Sequence, residues 1–302
     1  MISRIYSLKQ LEAFVWAVDL GSFRKAAQHL NTTQPNISSR IRKLEKTLDV
    51  VLMLRDASSV RLTEHGAEIL QRARQVLHEA EGLVEVAKRQ DLIEDRLRLG
   101  VTELVACTWL HDYLRQLKVE YPAMAVELTV DLSRNLDKEL GGNALDLTIQ
   151  TAPFDTTVEG NISLGKFPYI WVTAGGTDDR DTRFSLQDLK QDIILTPARY
   201  TQAFIELMQF AKRHAMPTTK FAPSNSLSSC VQMVLDGMGV ALLPKALIKD
   251  YLTSGQLQQL DVDWTPSPLS FSARFHSAKA PLFVERAAAL ASQVVKAHLP
   301  TE

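Results

Sequence analysis

Between residues 8 and 48 the apolar side chains recur at three- and four-residue steps, interrupted at Asp19-Leu20-Gly21 and again at Asn31-Thr32-Thr33-Gln34-Pro35. That spacing sets Leu8, Leu11, Val15 and Val18, with Phe14 beside them, on one face of a first helix. Phe23, Ala26, Ala27 and Leu30 line a second, and Ile37, Ile41, Leu44 and Leu48 a third. Ser22 is placed to cap the second helix, and Thr33 followed by Pro35 is an ordinary start for the third. Three short helices of this kind can share one small core.

With its four aliphatic residues turned inward, the third helix projects Asn36, Ser39, Arg40 and Lys43 outward, while Gln34, Pro35 and Ser38 surround its first turns. Amides and hydroxyls bond base edges, arginine bonds guanine or phosphate, and lysine neutralises phosphate. This is what the second helix of a helix-turn-helix offers a major groove. An isolated basic helix more often reads as a solvated face; the preceding helix and the short connection move this one toward DNA. The run "VVLMLRDASSVRLTEHG" that follows holds two β-prone stretches around Asp56-Ala57-Ser58-Ser59, the pattern of a short hairpin or wing. Arg55 and Arg61 then either reach the DNA backbone or minor groove or are plain surface arginines.

Charge is divided in the same way. Residues 1–64 hold ten Lys/Arg against six Asp/Glu, while the whole chain has a net charge of -1, so the remainder carries five excess negative charges. A basic front and an acidic back suggest that only the front meets a polyanion. From Glu64 to about Gln90 there is no proline, and Ile69, Ala73, Val76, Ala80, Leu83 and Ala87 follow a 4-3-4-3-4 spacing. Such a seam fits a dimerising linker helix or an amphipathic helix packed on its own domain. Its position between a basic and an acidic part favours the first.

In order and content, "LEAFVWAVDLGSFRKAAQHLNTTQPNISSRIRKLE" and "VRLTEHG" resemble the LysR-type transcriptional regulators, through the Gly-Ser-Phe…Ala-Ala, Gln-Pro…Ser and Leu-Thr…Gly elements. The resemblance runs from Leu8 to about Leu70 and more loosely to the C-terminus. It implies an all-α winged helix-turn-helix domain on a long dimerising helix, followed by an α/β two-lobed effector domain similar to periplasmic binding proteins. It further implies that Gln34, Pro35, Ser38 and Arg40 contact double-stranded DNA. The expected division is 1–64 for the DNA-binding domain, 65–95 for the linker and hinge, and 96–302 for the effector domain. Its lobes would be about 96–165 with 266–302, and about 166–265.

The chain after about Arg96 supports a separate domain by itself. "LRLGV", "AVELTVDL" and "LDLTIQT" alternate with helical stretches, as in an open, mostly parallel sheet. A second set runs through "PYIWVT", "DIILT", "KFAPSNS" and "GVALLP", with helices near 200–214 and 227–236, and "LSFSARF" with helix 282–298 returns to the first lobe. Ligands in such folds sit beyond the carboxyl ends of strands, near helix N-termini. Thr102-Glu103, Ser133, Thr196-Pro197 and Ser224-Asn225-Ser226 occupy those places. The resemblance puts effector contacts at the first three, and Asn225 is added. Hydroxyls at helix starts suit a carboxylate, whereas Glu103, facing inward, would suit an amino-bearing metabolite. For each hydroxyl taken singly, helix capping is the stronger alternative.

Other chemistry finds no pattern. The seven histidines, among them His29, His65 and His78, lack metal spacing, and no phosphate loop or nucleophile elbow occurs. "DGMGVALLP" follows a helix and precedes a strand, the reverse of a dinucleotide fingerprint. Cys107 and Cys230 read as buried small side chains more readily than as oxidant sensors. No cofactor, metal or catalysis is expected. No apolar run reaches the ~18 residues of a membrane span. The N-terminus lacks the pattern of a signal peptide, so a cytoplasmic location is expected. The expected function is a DNA-binding regulator, a homodimer or homotetramer modulated by a small effector, with RNA polymerase as a further candidate partner. A ligand-insensitive architectural DNA binder is the alternative.

Overall fold

The computed structural model describes residues 5–56, 59–93, 95–176 and 185–299. The chain forms two compact units. One takes in the chain up to Asp95 with Tyr121–Met124 and His276–Arg286; the other holds Arg96–Glu120, Ala125–Phe275 and the chain from Ala287 onward.

In the first unit α1 (Leu8–Asp19), α2 (Phe23–His29) and α3 (Gln34–Leu48) precede the hairpin β1 (Met53–Asp56) and β2 (Ser59–Leu62), and α4 (Glu64–Val86) follows. Leu11, Phe14, Val15, Ile37, Ile41 and Leu44 are buried together with Leu52, Met53, Leu70 and Ala73. The three apolar stripes and the start of α4 therefore share one core, and the register of β1 with β2 lays the hairpin beside it. Helix boundaries follow local chemistry. Gly21 takes a left-handed φ of 62° after α1, and the Ser22 hydroxyl then accepts the Lys25 N–H at 3.4 Å to begin α2. At the start of α4 the Thr63 hydroxyl donates to the Val51 carbonyl at 2.6 Å and accepts the Gly66 N–H at 2.9 Å.

Only the first turns of α4 are covered by that core. Leu70 and Ala73 are buried, but farther along Leu83 is 73% and Val86 85% exposed. Of the expected seam, Val76 and Leu83 are exposed beyond the helix bundle among the described residues.

The second unit contains β3 (Arg96–Val101), α5 (Glu103–Cys107), α6 (Leu110–Glu120), β4 (Ala125–Val130), α7 (Ser133–Gly141), β5 (Leu147–Thr151), β6 (Gly160–Phe167), β7 (Tyr169–Ala174), β8 (Ile194–Thr196), α8 (Gln202–Arg213), β9 (Phe221–Pro223), α9 (Leu227–Leu235), β10 (Val240–Pro244), α10 (Lys249–Thr253), β11 (Leu257–Leu260) and β12 (Leu269–Phe275). A last helix, α11 (Leu282–Val294), begins in the first unit and ends in the second.

Two five-stranded sheets organise two lobes, in the orders β4-β3-β5-β12-β6 and β11-β7-β10-β8-β9. In the first, β3 runs parallel to β4 and β5, while β12 is antiparallel to β5 and β6. In the second, β8 runs parallel to β9 and β10, while β7 is antiparallel to β10 and β11. Each sheet is thus mixed, with one strand, β12 in the first and β7 in the second, running against the other four; β6 and β11, which the sequence reading did not anticipate, run with the majority as edge strands beside it. The chain crosses between lobes at Phe167-Pro168-Tyr169 and returns between β11 and β12. The carboxyl ends of β3, β4, β8 and β9 lead directly into Thr102, Ser133, Thr196 and Ser224 or their neighbours.

Candidate nucleic-acid interface and ligand cleft

The exposed side of α3 is built by its buried one. Fixing Ile37, Ile41 and Leu44 in the core leaves Gln34, Pro35, Asn36, Ser39, Arg42 and Lys43 exposed. The Asn36 amide donates back to the Thr32 hydroxyl at 2.8 Å, and the Arg42 guanidinium donates to the Ser38 hydroxyl at 2.9 Å and the Ser38 carbonyl at 3.3 Å. Ser38 is half-buried and serves here as the anchor of Arg42. Arg40, expected to project outward, is half-buried at the flank of the helix, near enough to Glu12 of α1 for its charge to act on that carboxyl. Burial pushes Glu12 up, and Arg40 and Lys9 oppose the rise. The cause is geometric: residue 40 lies only about 70° from the centre of the buried stripe at 100° per residue, whereas residue 42 lies about 130° from it, on the outward half of the helix. Sequence reading left Arg42 out of the base-contacting set, although the same angular count points to it. Arg61 is exposed on β2; the side chain of Arg55 lies outside the described residues, as do Ala57 and Ser58.

Within the second unit, the expected ligand residues fall into two facing groups. In lobe I, Thr102 precedes α5, and its hydroxyl is buried with no hydrogen-bond partner among the described residues. The Ser133 hydroxyl pairs with the Thr151 hydroxyl at 2.9 Å and accepts the Thr151 N–H at 3.0 Å, so it ties α7 to the end of β5. In lobe II, Thr196 is 1% exposed, and its hydroxyl donates to the Pro197 carbonyl at 3.3 Å beside a buried Pro197. Ser224 joins this edge through its N–H on the Thr196 carbonyl at 3.0 Å, and Asn225 is exposed.

Among the described residues, two polar side-chain contacts near these strand ends reach from one lobe to the other. The Arg134 guanidinium of α7 lies over the Tyr200 ring at 5.8 Å. The Glu103 carboxylate of α5 accepts hydrogen bonds from Ser226, Leu227 and Ser228 at the start of α9. Burial would raise the Glu103 carboxyl; the bonds from Ser228, Leu227 and Ser226 outweigh it and hold the group below the ordinary carboxylate value. Sequence reading placed Glu103 in the cleft without a partner and missed Arg134, Leu227 and Ser228. The visible signal was the Ser226-Leu227-Ser228-Ser229 run, a stretch of hydroxyl donors at a helix start.

Lobe I also holds a buried polar knot. Asp137 accepts hydrogen bonds from Arg274, from the Gln150 amide at 3.0 Å and from the Asp155 and Thr156 N–H groups, and the Arg274 guanidinium also lies over the Phe154 ring at 3.9 Å. Burial would raise the Asp137 carboxyl, but the bonds from Thr156, Asp155 and Gln150 prevail and lower it. This network pins residues 154–156 to α7 and β12. Cys230 is buried as expected, whereas Cys107, also expected to be buried, is exposed on α5. Burial first, and then the charge of Glu103, pushes the Cys107 thiol up; burial also raises Cys230, against a hydrogen bond from Ser224. Among the described residues no group of three or more His, Cys, Asp or Glu could hold a metal ion, and no helix is long and apolar enough to cross a membrane.

A helix-turn-helix unit followed by a two-sheet α/β unit defines a class of ligand-linked DNA-binding proteins, and comparison with known proteins narrows it. Residues 8–67 match the bacterial regulatory helix-turn-helix protein, lysR family, and residues 90–294 match the LysR substrate binding domain. The chain belongs to the LysR family of transcription regulators, with a DNA-binding and an effector-binding domain. It is 30% identical over 294 residues to a probable hydrogen peroxide-inducible genes activator of Streptomyces viridosporus, covering 94% of this chain and 93% of that one. It is 26% identical over 270 residues to the HTH-type transcriptional regulator CfxR of Cupriavidus necator, covering 87% and 83%. Among solved structures it is similar to a full-length OxyR variant from Pseudomonas aeruginosa, with TM-score 0.60, 22% identity and coverage of 96% and 94%. Full-length BenM gives TM-score 0.55 at 20% identity, covering 96% and 97%. These structural likenesses concern the fold.

Proposed function

We infer that the chain is a cytoplasmic regulator whose DNA-binding domain (1–64) reads an operator with Gln34, Pro35, Asn36, Ser38, Ser39, Arg40 and Lys43, assisted by Arg55 and Arg61. Residues 65–95 join two copies through the seam of α4, and residues 96–302 bind a small effector beside Thr102, Glu103, Ser133, Thr196, Pro197 and Asn225. The observation that carries this reading is the exposed polar and basic face of α3, set on a helix-turn-helix core and followed by two α/β lobes with hydroxyl residues just beyond their strand ends. The effector is a small metabolite bearing a carboxylate or an amino group. Its binding changes the arrangement of the lobes and, through a dimer or tetramer, the spacing or bend of the DNA; this requires different affinities for the two arrangements. RNA polymerase is the further partner of such a complex. The reading assigns the chain no catalysis.

Gel-shift titration of the full chain on its own upstream DNA against scrambled DNA, at two salt concentrations, tests the first half. Preference by a factor of ~10³ or more for the upstream fragment is expected. Equal and strongly salt-dependent binding of both would replace this reading with that of a general DNA binder.

A further inference from the structure

Glu103 is the first residue of α5 in lobe I, yet the hydrogen bonds to its carboxylate come from the first turn of α9 in lobe II. Oε2 accepts the Leu227 N–H at 2.6 Å. Oε1 accepts the Ser228 N–H at 3.1 Å, the Ser228 hydroxyl at 2.6 Å and the Ser226 hydroxyl at 3.2 Å. Both oxygens are thus engaged, and Ser226 holds α9 at the same time by accepting the Ser229 N–H at 3.2 Å. First-turn amides have no helical carbonyl to reach, and the helix dipole favours an anion beside them. Charge-assisted bonds to such donors are stronger than neutral ones. A free carboxylate arriving at α9 would need these same donors, and they are taken by a side chain of the opposite lobe. Arg134 over Tyr200 is a second bridge between the lobes, made from exposed groups and so weaker.

We propose that Glu103 is a tethered carboxylate that fills the anion seat at the start of α9, latching lobe I to lobe II and closing that seat to small carboxylates. The proposal rests on the cleft being the effector site and specifies its regulation. An anionic effector reaches α9 only by displacing Glu103, and displacement frees the lobes to change their arrangement. Selection at the cleft is therefore between the effector's anion and an internal one that is present at high effective concentration.

Thermal unfolding of the full chain in sodium formate, compared with sodium chloride at equal ionic strength, tests the latch. Formate should do no more than chloride to the wild type. Glu103→Ala should melt several degrees lower in chloride and regain most of the loss in formate, along a saturating curve. Glu103→Gln keeps the side-chain volume and fills the seat with an uncharged group, so it should melt below the wild type and ignore formate. Formate acting equally on wild type and Glu103→Ala, or leaving Glu103→Ala where chloride leaves it, overturns the latch. If Glu103→Ala does not fold, a Glu103→Gln melting temperature equal to that of the wild type overturns it instead. A metabolite screen read by operator gel shift tests the cleft separately: a responding metabolite without formate rescue keeps the effector site and removes the latch, while rescue without any responding metabolite keeps the latch and removes the effector site.

Discussion

Gly66 has no room for a methyl group. A Cβ built there would lie 2.1 Å from the Leu52 carbonyl oxygen, because the first turn of α4 packs against the chain entering β1. Gly66→Ala must push the two apart, breaking the Thr63 cap as well, and is expected to destabilise the DNA-binding domain by about 2–3 kcal/mol in urea unfolding. An unchanged midpoint would mean that the approach relaxes freely. The same scale separates two arginines of α3. Arg42 stands on the exposed face while Arg40 is half-buried near Glu12, so Arg42→Ala should weaken operator binding roughly tenfold or more, consistent with ~1–3 kcal/mol for a lost base or phosphate contact, and Arg40→Ala less. A gel shift giving the reverse order would return Arg40 to the centre of the interface. The two cysteines share a different constraint. Both thiols are raised by burial, with the Glu103 charge adding to it, so thiolate is scarcer than in a free cysteine at neutral pH. Alkylation by iodoacetamide at pH 7.5 should be slower for each than for free cysteine, and Cys107→Ser should leave operator binding in peroxide unchanged. A peroxide response lost in that variant would give the exposed Cys107 a sensing role.

At the scale of elements, the uncovered part of α4 makes a prediction of its own. Leu83 is 73% exposed on a helix whose earlier turns bury Leu70 and Ala73, which is costly for a chain alone and reasonable for one half of a paired seam. Leu83→Asp should shift the protein toward monomer in analytical ultracentrifugation. The slope of log affinity against log salt should fall by about half, because one copy neutralises half the phosphates. A dimer of unchanged strength would move the interface off α4. Why the elements were readable also follows from their environments. α1 to α4 stood out because each has one buried stripe and polar remaining faces, so Phe14, Ile37 and Leu70 repeat with a helical period. β3, β5 and β10 showed as apolar runs because both faces are covered. β6 and β11 escaped notice because their apolar residues are sparse, as in "GNISLGKF" and "LQQL", and their place depends on pairing with strands far along the chain. The strand ends of the two lobes and the hydroxyl residues that follow them were legible in the sequence. The contact between the lobes was not, because nothing local to Glu103 announces that its partners are residues 226–228, more than a hundred positions away.

At the scale of the whole molecule, one carboxyl joins parts of the chain that sequence keeps far apart. Glu81, near the end of α4, accepts the N–H of Leu282 at the start of α11, and one turn on, Glu85 holds the Arg286 guanidinium at 2.7 Å. Burial raises the Glu81 carboxyl, the Leu282 N–H lowers it, and the charges of Asp95 and Glu12 raise it again, leaving it at about 7. The unfolded chain keeps the ordinary value near 4.5, so between pH 4.5 and 7 the folded protein binds more protons at this site than the unfolded one. Stability from this group is therefore greatest below pH 4.5, declines as pH rises to about 7, and levels off above it. Glu81→Gln retains an oxygen for the Leu282 N–H and removes the charge. It should unfold at nearly the wild-type temperature at pH 5 and above it at pH 8, by an amount on the order of 1–3 kcal/mol. Equal melting temperatures at both pH values would show that the carboxylate ionises there without penalty. A gain at pH 8 alone would place a proton-dependent contact where the helix leaving the DNA-binding core meets the chain returning from β12.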